Sequence, residues 1–93
     1  MTSYTDEQKK NVEEIIDKYT EDTLGNYERY VIKNVANTKM NEGASVIDVA
    51  DAVFDCACRD FSGDIFMAAS CKNICPKSIL LILRNDIISV LKK

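Results

Sequence analysis

The sequence contains no histidine, and cysteine is the only other residue type in it that commonly binds soft metals. Without histidine there is no Ser-His-Asp or Cys-His catalytic arrangement and no histidine-containing metal site. The usual general base near neutral pH is missing, as are glycine-rich phosphate loops and loops of the EF-hand pattern. We therefore predict that the protein is not an enzyme, has no cofactor and acts on no small-molecule substrate.

Glycine and proline are also scarce, with three glycines and one proline, and the Asn-Gly and Asp-Gly pairs typical of β-hairpins do not occur. Apolar residues instead recur at steps of three and four over long stretches, which indicates helices. Buried strands at 30–35 and 79–83 are an alternative on composition alone. We predict an all-α fold, a compact bundle of about five helices in a single domain over 1–93, with residues 1–4 frayed.

Long apolar runs are absent as well. No unbroken apolar run is longer than 79–83, which is far too short to span a bilayer, and the first fourteen residues are too polar for a secretory signal. We therefore predict a cytoplasmic or nuclear protein that is not secreted and does not enter a membrane.

The four cysteines, in a reducing compartment, are most simply free thiols in the core. They are Cys56, Cys58, Cys71 and Cys75. Their spacing lacks the CxxC pairs of common zinc and redox sites, so we predict no metal.

The strongest helical pattern lies in 45–61. Ser45 can cap its start, and Asp48 three residues later suits the first turn. Asp48, Asp51, Asp55 and Arg59 share a polar face, on which Asp55 and Arg59 form an i,i+4 ion pair. The opposite, apolar face contains Val46, Val49, Ala50, Val53, Ala57 and Phe61. We predict a central helix against which the others pack.

Two helices precede it. Thr5 with Gln8 forms a capping box that starts the first, whose apolar face contains Val12, Ile15, Ile16 and Tyr19. The second starts near Asn26 and ends within 41–43, where Gly43 suits a left-handed cap. We predict that its buried face contains Tyr27, Tyr30, Val31 and Val35, with Glu28, Arg29 and Lys33 outside.

Two more helices are expected after the central one. Asp64 can cap a short fourth helix over 65–69, and Pro76 suits the first turn of a fifth. The fifth helix is apolar around more than half of its circumference. We predict that Leu80, Leu83, Ile87 and Leu91 point toward the core and that Ile79, Ile82 and Val90 remain partly available.

Charge is unevenly distributed. The net charge is −3, which argues against direct nucleic-acid binding because phosphates require a clustered basic surface. Residues 43–66 contain five acids and one base, whereas residues 67–93 contain one acid and five bases. These two segments should attract each other, within one chain or between two.

A helix that is apolar on most sides lies either in a core or at an interface. We therefore predict a regulatory or adaptor module that self-associates, as a homodimer, or docks on a protein partner. The predicted partner-binding residues are Ile79, Ile82, Leu83, Val90, Asp48, Asp51 and Asp55. An alternative is an acidic inhibitor of a basic or nucleic-acid-binding protein.

A further alternative comes from a resemblance. Gly43-Ala44-Ser45-Val46-Ile47-Asp48, followed by Asp51, Val53, Phe54, Phe61, Asp64 and Ile65, resembles the second helix of acyl carrier proteins. The resemblance implies a carrier-protein-like bundle with a phosphopantetheine arm attached to Ser45. The sequence departs from the family because Ala44 replaces the aspartate of its Asp-Ser-Leu motif. It also predicts a helix over 27–35, where the family has a long loop.

Overall fold

The computed structural model describes residues 3–21, 24–60 and 76–92, which form four α-helices and no strand. The helices are α1 (Asp6–Thr20), α2 (Asn26–Asn41), α3 (Val46–Asp60) and α4 (Pro76–Leu91). The predicted all-α bundle is confirmed, with four helices in the described part rather than about five. The short helix predicted over 65–69 lies outside the described residues.

The helix starts follow the predicted caps. The Thr5 hydroxyl accepts a hydrogen bond from the Gln8 amide at 3.1 Å, and the Gln8 side-chain oxygen accepts one from the Thr5 amide at 2.8 Å. At the start of α3, the Ser45 hydroxyl accepts a hydrogen bond from the Asp48 amide at 3.2 Å. Each contact satisfies an amide that has no partner within its own helix.

The end of α2 depends on a glycine. Gly43 has a φ of 78°, in the left-handed region that other residues rarely adopt. In this conformation the Gly43 amide donates a hydrogen bond to the Met40 carbonyl, and the Ala44 amide donates one to the Lys39 carbonyl, both at 3.1 Å. This is a Schellman cap, and it ends α2 where the sequence predicts.

The helices form a ring in which the main contacts join α1 to α2, α2 to α3, α3 to α4, and α4 to α1. The bonds Asp17–Lys33 and Glu13–Asn37 show that α1 and α2 run antiparallel, because one residue number rises as the other falls. Val90, near the end of α4, lies beside the start of α1. The bundle is therefore up-down-up-down.

This ring corrects the prediction that α3 is the centre of the fold. The main neighbours of α3 are α2 and α4, and every other helix likewise has two. Four similar amphipathic helices share one core between them, so none is enclosed by the others. Of the predicted apolar face of α3, Val49, Ala50, Val53 and Ala57 are buried and Val46 is half-buried. Phe61, the last residue of that predicted face, lies outside the described residues.

The predicted buried face of α2 is wrong for its two tyrosines and right only in part for its two valines, which pack against the edge of the core. Tyr27 and Tyr30 are 75% and 64% exposed, and Val31 and Val35 are only half-buried. The buried residues of α2 are Ile32, Ala36 and Met40.

Polar contacts with α1 accompany this rotation of α2. The Asp17 carboxylate accepts bonds from Arg29 at 3.3 Å and Lys33 at 2.8 Å, and the Asn37 amide donates to Glu13 at 2.9 Å. Arg29 and Lys33, predicted to lie outside, are therefore half-buried along the border with α1. Turning the tyrosines inward would separate both cations from Asp17.

Tyr4 is not frayed, in contrast to the expectation for residues 1–4. Its hydroxyl donates to the Ala44 carbonyl at 2.6 Å and its ring packs partly against the core. This contact ties the chain before α1 to the connection between α2 and α3.

Candidate protein-contact surfaces

The inward side of α4 completes the core. Leu80, Leu83, Ile87 and Leu91 are between 0 and 5% exposed, as the sequence predicts. Leu83 is at 0%, so its inclusion among the partner-binding residues does not fit the structure. Leu83 lies three residues from Leu80 and four from Ile87, in the middle of the buried stripe, where a partner does not reach it.

The outward side of α4 exposes apolar residues in its first half. Leu81 is 43% and Ile82 48% exposed, and Ile79 is half-buried three residues before Ile82. We call Ile79, Leu81 and Ile82 the α4 patch. The next outward positions, Asn85 and Ser89, are polar, so the patch ends after one turn.

Val90 lies apart from the α4 patch. It is eight residues beyond Ile82, about 12 Å along the helix axis. It is half-buried in a groove whose other lining residues are Thr5, Glu7, Gln8 and Asn11 at the start of α1. The structure therefore does not group Val90 with Ile79 and Ile82.

The three predicted aspartates are exposed on α3, but two of them already have partners. Asp51 accepts a bond from Arg84 of α4 at 2.5 Å, and Asp55 pairs with Arg59 at 3.3 Å, the predicted i,i+4 pair. The Asp51–Arg84 bond shows that the acidic middle and the basic end meet within one chain. No cation of the described residues lies within 4.0 Å of the Asp48 carboxylate.

A groove of about 720 Å³ runs along the outer surface between α2 and α3. Its apolar lining includes Val31 and Val35 from α2 and Ala52 from α3, and Asp48 and Asp55 are among the charged residues that also line it. We call it the α2–α3 groove. Sequence reasoning missed it because it assigned Val31 and Val35 to the core. The four-residue spacing of Ile32, Ala36 and Met40 was the signal that could have corrected this.

A side-chain hydrogen bond between described residues joins α1 to α4. The Tyr19 hydroxyl donates to the Asp86 carboxylate. This hydrogen bond, with partial burial and the negative charge of Asp86, raises the pKa of Tyr19 above its ordinary value.

Cys56 and Cys58, the cysteines within the described residues, are thiols rather than halves of a disulfide. Cys56 is buried with its sulfur 3.7 Å from an Asp60 oxygen, and Cys58 is half-buried. Burial, with the nearby Asp60 charge, raises the pKa of Cys56. No group of three potential metal-binding side chains converges in the described ranges, and Cys71 and Cys75 lie outside them.

Ser45, the attachment residue implied by the resemblance to carrier proteins, is exposed, and its hydroxyl caps α3. No helix of the described residues is long and apolar enough to cross a membrane. Comparison of the chain with protein-family models, with curated proteins and with solved structures finds no match in any of the three.

Proposed function

We propose that this protein is a small non-enzymatic module that works through protein contacts, and that the α4 patch binds a second copy of the chain. The observation that carries the proposal is the position of Leu81 and Ile82. They are adjacent on the outward side of a helix whose inward side is already filled by Leu80, Leu83, Ile87 and Leu91. Leu81 and Ile82 are not part of the buried core. Large exposed apolar residues that adjoin one another are typical of contact surfaces.

Self-association is the simplest use of this surface. In a two-fold dimer the α4 patch of one chain packs against the α4 patch of the other. The dimer contact therefore needs only this one surface on each chain. Helices that pack across such an axis place residues three and four apart against their counterparts. Ile79 and Ile82, which are three residues apart, have this arrangement.

The chemistry of the described side chains supports a non-enzymatic role. A reactive cysteine needs a lowered pKa, because the thiolate is the nucleophile. The pKa of Cys56 is raised instead, and the thiol is buried beside a carboxylate. Cys56 is therefore suited to packing in the core.

The test is Ile82→Asp, with molar mass measured by light scattering behind size exclusion across a wide concentration range. Ile82 is about half exposed, so the variant should fold with an unchanged circular dichroism spectrum. Burying a charge at a dimer contact is unfavourable, so the dimer Kd should rise about tenfold or more.

The matched control is Asn34→Asp, which adds the same charge to an exposed position on α2, the helix diagonal to α4. It should leave the molar mass unchanged. A wild-type protein that stays monomeric at all concentrations would exclude self-association. A dimer equally insensitive to both substitutions would exclude the α4 patch.

A further inference from the structure

The α2–α3 groove has a second surface beside it on α2. A hollow of about 450 Å³ is lined by Tyr27, Tyr30 and Thr38, and it shares Val31 and Val35 with the groove. The two depressions therefore form one continuous outer surface. Apolar side chains lie along its middle and two largely exposed aromatic rings lie at one side.

Among the described residues that line the groove, the charged ones are mainly acidic. They include four carboxylates against two cations, a net charge of two negative. The carboxylates belong to Asp48, Asp51, Asp55 and Asp60, and the cations to Lys39 and Arg59. Arg59 is already paired with Asp55 and Asp60, at 3.3 and 3.7 Å, and Asp51 is paired with Arg84 of α4. Asp48 is the lining carboxylate that has no cation of the described residues within 4.0 Å. The groove thus favours a cationic partner and disfavours nucleic acids and anionic surfaces.

The shape of the groove favours a helical partner. Val31 and Val35 are one turn apart on α2, and Asp48 and Ala52 are one turn apart on α3. The rows of such residues on two antiparallel helices have the repeat that a third helix needs to pack between them. Asp48 and Asp55 are seven residues apart, about 10 Å, which is the distance between side chains two turns apart on a partner helix.

We propose that the α2–α3 groove binds a basic amphipathic helix of a partner protein. Apolar side chains of that helix lie on Val31, Val35 and Ala52, and its lysines or arginines meet Asp48 and Asp55. This is the helix-in-groove mode of peptide recognition. The exposed rings of Tyr27 and Tyr30 offer faces to arginine, and tyrosine is enriched in the centres of protein interfaces.

This surface is separate from the α4 patch, so the inference adds to the proposed function and does not depend on self-association. Ile82→Asp should leave binding in the groove unchanged. Loss of self-association and loss of partner binding are therefore distinguishable in the same set of variants.

The test uses a synthetic helical peptide with leucines at i, i+3 and i+7 and lysines along both flanks. Its binding is followed by fluorescence anisotropy, and the site is mapped by NMR shifts of Val31, Val35 and Ala52. The double variant Asp48→Asn/Asp55→Asn should raise the Kd about tenfold, because two exposed charge contacts are lost. Ala52→Arg should raise it further by placing bulk and positive charge in the groove.

Two controls separate the groove from general charge attraction. Glu14→Gln/Glu21→Gln removes the same charge at exposed positions on α1 and at its C-cap, and it should change the Kd by about twofold or less. A scrambled peptide of equal charge has no apolar face and should bind much more weakly.

Several results would overturn the proposal. The first is no binding of the amphipathic peptide, or equal binding of the scrambled one. The second is that the shifts of Val31, Val35 and Ala52 change with protein concentration alone, which would mean that a second copy occupies the groove. The third is NMR contacts between these residues and residues 61–75 of the same chain, which would make that segment the occupant.

Discussion

The helices α2 and α4 both lie against α1, and each has 16 residues, but they are attached differently. Polar side chains pair in a row along the border between α1 and α2, where the Asp17 carboxylate forms ion pairs with both Arg29 and Lys33. Between α1 and α4, the described residues include a side-chain hydrogen bond from the Tyr19 hydroxyl to the Asp86 carboxylate. Most of the attachment of α4 comes from the burial of Leu80, Leu83, Ile87 and Leu91.

The difference explains why one helix could be oriented from its sequence and the other could not. In α4, which is apolar around more than half of its circumference, the buried side is made of Leu80, Leu83, Ile87 and Leu91 at steps of three and four, and burying these large aliphatic side chains outweighs any single polar contact. In α2 the apolar residues are spread around the helix, so polar bonds to α1 help decide its rotation. A helix with a weak apolar preference is oriented by its neighbours.

The largest effect that tests this comparison is expected for Leu83→Ala in α4. Removing a fully buried leucine should lower the free energy of unfolding by about 2–5 kcal/mol. Leu81→Ala, in the exposed α4 patch, should lower it by about 1 kcal/mol or less. Urea denaturation at a fixed protein concentration measures both. Equal losses would mean that the inward and outward sides of α4 are misassigned.

The polar row of α2 is tested by Asp17→Asn. The change leaves Arg29 and Lys33 without their carboxylate partner. Because both side chains are about a quarter exposed, the free energy of unfolding should fall by about 1 kcal/mol. The loss should shrink at high salt because ions screen the pairs. Glu14→Gln, at an exposed position of the same helix, is the control. An effect no larger than that of the control would show that the row does not stabilise α2.

The bond between α1 and α4 is tested by Tyr19→Phe as a function of pH. The folded-state pKa of Tyr19 lies above its unfolded value of about 10, so its stabilising contribution is complete below that pH. The contribution is lost as pH rises through the folded-state pKa. The wild-type protein should therefore lose stability more steeply than Tyr19→Phe above about pH 10. Parallel curves from thermal unfolding would contradict the contact with Asp86.

The smallest effect is expected for Tyr27→Ser in α2. Because Tyr27 is 75% exposed, this substitution should change the protein's free energy of unfolding by about 0.5 kcal/mol or less. Ile32→Ser in the same helix should lose several times more, since Ile32 is fully buried. A large loss in Tyr27→Ser would support the face that the sequence predicts.

Local features of the fold could be predicted from residues close together in the chain. The capping box of Thr5 and Gln8, the Gly43 cap and the Asp55–Arg59 pair depend on residues at most four positions apart or on a single glycine. Most buried residues of α1 and α3 could be predicted because each of these helices has one distinct apolar face, and those of α4 because Leu80, Leu83, Ile87 and Leu91 recur at steps of three and four.

Features that depend on two distant segments were not predictable. The sequence suggested an attraction between its acidic middle and basic end, but only the packing of α3 on α4 places Asp51 beside Arg84. The α2–α3 groove likewise depends on where α2 turns its tyrosines, and α1 helps decide this through Asp17. Periodicity fixes which residues share a face of one helix. The rotation of a weakly amphipathic helix is a balance of burial and pairing among all its neighbours, which only the tertiary structure decides.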